Sequence, residues 1–147
     1  MAKQCVEWYR KRWFIEEVFR VMKSQGLGIE ESQLEDIESL QKLTLLALVA
    51  ATKIVALKMA FDIQDEDVKA LQYFSEEEMS ILKKKILPKL EGKTQILKNP
   101  YKSNSLLWCA WILARLGGWS GYISQSKPGY ITFKRGYDIF YTITSFI

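Results

Sequence analysis

Histidine is absent from the chain. Its absence removes any histidine general base and the usual Cys/His zinc sites. Cysteine occurs only at Cys5 and Cys109, far apart and without a partner at ligand spacing, which fits a reduced, cytoplasmic setting. The opening residues include Lys3, Glu7, Arg10 and Lys11 rather than an apolar run, so no signal peptide is expected. An uninterrupted membrane-length run is lacking as well. The most apolar stretch, residues 43–61, is broken by Lys53 and Lys58 and reads as too short and mixed for a membrane span. Nor is there a large excess of one charge: 21 basic against 17 acidic side chains leave +4. A total that mild does not argue for a nucleic-acid partner, so the distribution of the charges must decide.

What the chain does have is apolar content. With 147 residues, 48% of them hydrophobic, it can bury one sizeable core or two small ones. Residues 9–23, YRKRWFIEEVFRVMK, show how one helix would serve such a core. At about 100° per residue, Phe14, Ile15, Val18, Val21 and Met22 form an apolar stripe. Tyr9, Arg12, Glu16 and Lys23 share an arc of roughly 60° on the other side. One carboxylate among Arg12, Arg20 and Lys23 suits a hard divalent metal flanked by phosphate-gripping cations. The same residues also suit surface ion pairs, Arg12 with Glu16 and Glu16 with Arg20, each at i, i+4. Spacing alone leaves both readings open.

The order Tyr9, Arg12, Glu16, Lys23 resembles the YREK motif of the DDE transposases of the insertion sequence 4 group. Further along, LARLGGW at residues 113–119, Pro128-Gly129 and TFKRG at 132–136 resemble a C-terminal element of the same family, and GIEESQLED at 28–36 resembles the stretch that follows its motif. The resemblance implies an all-α chain: the last helix of a ribonuclease-H-like catalytic core (residues 1–28), then a helical C-terminal dimerisation region (29–147). It implies Glu16 as the third carboxylate of a site holding Mg²⁺ or Mn²⁺, with Arg12 and Lys23 on phosphates and Tyr9 on the DNA backbone; Arg20 stands beside them as a further DNA-binding cation, and Trp13 either stacks on a base or packs on the side of its helix. The family's two other catalytic residues are strand-borne aspartates, and none precedes Tyr9. Asp36, Asp62, Asp65 and Asp67 come later in the wrong context, so the chain is expected to be a fragment that does not cleave DNA alone. Its partners would be transposon-end DNA and a second copy of itself, without a membrane. The rival readings are a helical self-association module and a helical scaffold, neither acting on nucleic acid.

The remaining elements follow from local signals. The first helix is expected over residues 2–24, ended by the stretch Gln25-Gly26-Leu27-Gly28, and residues 29–35 read as a connector. Asp36 caps a second helix over 37–62, apolar around most of its circumference, which makes it the expected central strut. Asp62, Asp65, Glu66 and Asp67 lack the glycine and terminal glutamate of a calcium loop and read as a solvated loop. Ser75 and Glu78 stand at capping-box spacing, and Pro88 should end or kink the helix that follows. From Lys83 to Lys102 seven lysines face the lone Glu91, either a track for a DNA backbone or a solvated face. Ser103 or Ser105 would cap a helix over 106–116, stopped by Gly117-Gly118. In residues 131–147 a helix and a strand both fit the apolar pattern, and the family resemblance selects the helix. Its aromatic surface exceeds what one buried side needs, which points to a second copy.

Overall fold

The computed structural model describes residues 2–23, 27–122 and 124–146, and among them every regular element is helical. The chain divides into two units, Met1–Val55 and Ala56–Ile147. The first unit holds helix α1 (Ala2–Lys23), a 3₁₀ turn (Ile29–Glu31) and the first part of helix α2 (Ile37–Ile63). Ser24, Gln25 and Gly26, expected to end α1, lie outside the described residues, while Gly28 takes the left-handed conformation (φ 51°) that a glycine accepts without strain. Asp36 caps α2 as expected, its Oδ2 accepting from the Ser39 N–H at 2.8 Å.

Burial in this unit is narrower than the apolar pattern suggests. Val18, Val21 and Met22 of α1 are buried, but Ile15 is exposed and Phe14 is half-buried. In α2 the division falls along the helix: Ala51, Ile54 and Val55 are buried, whereas Ile37, Leu45, Leu46, Leu48 and Val49 are exposed. The expectation that α2 would be surrounded along its length therefore fails for its N-terminal half. Length is also no obstacle to crossing a membrane, since α2 has 27 residues and suffices by length and composition. Its C-terminal half is instead a core helix, with Leu57, Ala60 and Phe61 buried and the Lys58 ammonium tied to Asp62.

The second unit is built around α5 (Leu106–Leu116), nine of whose residues, Leu106 to Ala114, are buried in succession. A short helix apolar on all sides satisfies its environment only at the centre of a core. Its first turn is closed twice: Ser105 Oγ accepts from Trp108 N–H at 3.1 Å, and Leu106 N–H donates to Val68 C=O at 2.8 Å. Its last turn ends in a Schellman arrangement, with Trp119 N–H on Ala114 C=O, Gly118 N–H on Arg115 C=O and Gly118 at φ 100°. Helix α6 (Tyr130–Ser145) packs on α5 through Phe133, Gly136 and Phe140, spaced i, i+3, i+7 on one face.

Between α2 and α5 the chain forms a 3₁₀ turn (Ala70–Gln72), then α3 (Glu76–Ile81) and α4 (Leu87–Leu90) with a π-helical segment, Leu82–Ile86, joining them, and a last 3₁₀ turn (Gln95–Leu97). The capping box is present on both sides: Ser75 Oγ accepts from Glu78 N–H at 3.1 Å, and Ser75 N–H donates to Glu78 Oε2 at 2.7 Å. Pro88 does not stop this run, which continues to Leu90. The ladder widens just before it, where the proline has no N–H to return to an earlier carbonyl. Of the acidic run expected as a loop, Asp62 belongs to the last turn of α2 and residues 64–67 form the loop, with Asp67 N–H on Asp65 Oδ1 at 2.8 Å and Glu66 3.7 Å from Lys102.

Candidate functional site

Helix α1 presents Tyr9, Arg12, Glu16 and Lys23 to solvent from one side. Arg12 Nε donates to Glu16 Oε1 at 3.0 Å, across side chains that are 73% and 59% exposed. That is the expected i, i+4 pair, and in water it contributes only about 0.3–0.5 kcal/mol. The carboxylate thus points outward, away from apolar packing, with a guanidinium already beside it.

The other two cations turn elsewhere. Arg20 reaches back to Glu17 at 3.1 Å, and Lys23 lies 3.5 Å from Glu30 in the 3₁₀ turn after the helix. Tyr9 and Trp13 are both exposed, on the same half of α1 as the Arg12–Glu16 pair. Glu17 was not foreseen. It is 3% exposed and is the buried carboxylate of this helix, yet in sequence it is only the second half of an EE pair. Its i, i+3 relation to Arg20 was the one available signal.

This arrangement can do two things: hold phosphate oxygens at Arg12 and Lys23, and offer one carboxylate, Glu16, to a cation. A complete divalent-metal site asks for several oxygen ligands, and α1 contributes one that is already engaged by Arg12. Among the described residues no three or more Asp, Glu, Cys or His side chains come together in a way that could hold a metal. The residues present therefore do not make up a two-metal centre.

The two strings that carried the weaker resemblance meet in space. Gly117 of LARLGGW and Gly136 of TFKRG stand at the α5–α6 crossing, where a Cβ on Gly136 would lie 1.9 Å from Leu113 O and one on Gly117 would lie 2.0 Å from Thr132 O. Arg115 closes the same end of α5, donating to Leu90 C=O at 2.8 Å and to Ser120 C=O, with its guanidinium 5.6 Å from the Trp111 ring centre. These contacts hold helices together and present no reactive group.

No curated protein matches the sequence. Residues 1–52, the stretch that contains the whole Tyr9, Arg12, Glu16, Lys23 face, match the family model of the transposase DDE domain.

Proposed function

We propose that this chain is the C-terminal part of a DNA transposase of the insertion sequence 4 type. In this reading residues 1–28 are the terminal helix of the catalytic core and residues 29–147 pair two protomers. Glu16 is one carboxylate of a composite metal site whose other ligands lie outside the described residues. Arg12 and Lys23 grip phosphates near the cut end, with Arg20 at the edge of the same surface. Tyr9 hydrogen-bonds the backbone, and Trp13 supplies a stacking surface. The observation that carries this reading is the outward projection of Tyr9, Arg12, Glu16 and Lys23 from one side of a helix inside the segment that matches the transposase DDE domain. Pairing through α6 is supported by Ile131, Tyr141 and Phe146, exposed while Phe133 and Phe140 are buried.

Alone, the chain is inactive in DNA cleavage, because one carboxylate does not hold two metals. The test reads the coding DNA upstream for an in-frame segment with two strand-borne aspartates and expresses the continuous protein. Mg²⁺-dependent strand cleavage by that protein, lost in E16Q, is the expected result. Glu16 is exposed, so E16Q should move stability by less than about 0.5 kcal/mol, which separates lost chemistry from lost fold. Cleavage undiminished in E16Q, no such upstream segment, or nicking by the present chain alone would each overturn the reading.

A further inference from the structure

Residues 83–98 contain six lysines, Lys83, Lys84, Lys85, Lys89, Lys93 and Lys98, against one acid, Glu91. All six are exposed. Elsewhere five lysines pair with carboxylates, Lys23 with Glu30, Lys42 with Glu38, Lys58 with Asp62, Lys102 with Glu66 and Lys134 with Asp138, and Lys127 donates to a backbone carbonyl, Asp62 C=O. None of the six in residues 83–98 pairs with a carboxylate among the described residues. Glu91 is turned inward on its own loop, its Oε1 accepting from Asn99 N–H at 3.1 Å. An ordinary solvated helix face interleaves both signs, as the capping and i, i+4 pairs of α2 and α6 do. This one does not.

The backbone keeps these lysines at the surface. In the π segment, i→i+5 bonding brings Ile81 and Ile86 to the same buried side, with Leu82 between them in the core. Lys83, Lys84 and Lys85 then emerge as three consecutive exposed residues, and Lys89 follows one turn after Lys85, just past Pro88. π turns in helices occur frequently at functional sites. Six uncompensated ammonium groups within sixteen residues repel one another, and the surface gains most from a partner of regularly spaced negative charge.

We infer that residues 83–98 form a docking surface for the sugar–phosphate backbone of duplex DNA, engaged without reading bases. Charge complementarity gives the class of partner. Lysine is a point charge without the planar fork that reads a guanine edge, so these contacts position and do not specify. No aromatic residue lies between Lys83 and Lys98 to stack on an unpaired base, which favours a duplex over a single strand. Nor is there an exposed Trp, Phe or Tyr in the segment to enter a lipid interface. The inference uses nothing on α1 and stands or falls separately from the role given to Glu16.

The test is equilibrium binding of the full chain to a labelled duplex of arbitrary sequence over a range of salt concentrations. With all six lysines on phosphates, log K falls against log salt with a slope of about −5, and affinity drops about 10³-fold from 50 to 200 mM salt. The K83Q/K84Q/K85Q variant should lose about three units of that slope. K42Q/K134Q, at two lysines that already hold carboxylates, should leave it unchanged. R12Q/K23Q, removing cations of α1, reports on the transposase reading in the same assay without touching this surface. A triple variant with the parent's affinity and slope would overturn the inference. So would a parent chain that does not bind the duplex, that prefers the single strand, or that binds phosphatidylserine vesicles in preference to DNA.

Discussion

Replacing Gly136 by alanine sets two effects of opposite sign against each other. Alanine favours a helix by about 1 kcal/mol over glycine, so propensity alone predicts a gain. The structure predicts a loss. The new Cβ would stand 1.9 Å from the Leu113 carbonyl oxygen, and a backbone oxygen cannot swing aside as a side-chain tip can. Helices α5 and α6 must part by roughly 1 Å, and a gap of that size forfeits a quarter to a half of the dispersion well of the atoms facing it. Phe133 and Phe140, both fully buried on α6, are the rings whose packing that separation loosens. Complete truncation of such a ring costs about 3–5 kcal/mol, so a partial loss for two rings amounts to about 2–4. After the propensity gain, a net destabilisation of about 2 kcal/mol remains, within the usual range for an overpacked core. Urea unfolding followed by tryptophan fluorescence reads it well, because Trp108, Trp111 and Trp119 of this unit are all buried. G129A is the steric control, since a Cβ there meets nothing within 4 Å, and it should cost less than about 1 kcal/mol. If G136A were as stable as the parent, the close crossing of α5 and α6 would be wrong.

Two further outcomes follow from burial. Cys5 is exposed and Cys109 is buried, where desolvation holds its thiol well above the usual range. A thiol reagent should therefore titrate one cysteine in the native chain and two in denaturant, and two fast-reacting thiols in the native state would contradict the burial of α5. Tyr137 has its pKa pushed up to about 12, first by burial and then by the negative charge of Glu78. A folded pKa raised above the unfolded value of 10.0 means that its contribution is complete below pH 10 and is lost as the pH climbs towards 12. The parent should lose stability relative to Y137F across that window, and parallel curves would refute the assignment.

The local punctuation of this fold was legible in its sequence. Asp36, the Ser75–Glu78 box and Ser105 each start a helix, and Gly117-Gly118 stops one, where the pattern placed it. Which helix stands at the centre was not legible. The length and apolarity of α2 nominate it, yet the shorter α5 fills the core, because burial belongs to the neighbours of a helix and not to its own composition. Pro88 announced a disturbance without revealing that the ladder would widen and continue. In residues 131–147 the alternation of Tyr137, Ile139, Tyr141 and Ile143 competed with a helical pattern and only the family resemblance selected the helix; the structure has that helix, with Phe133, Gly136 and Phe140 on its buried face. On α1 the i, i+4 bond of Arg12 to Glu16 could be read from spacing. The partner of Lys23 could not, since Glu30 arrives only after the chain has turned back.

The N-terminal half of α2 leaves Ile37, Leu45, Leu46 and Val49 facing water. Sticky apolar surface is what chaperones hold and quality-control proteases sample, and two such chains meeting in a crowded solution have every incentive to adhere. The lifetime of this protein in a cell would then be governed less by its own unfolding than by how soon something greasy settles over that bare shaft.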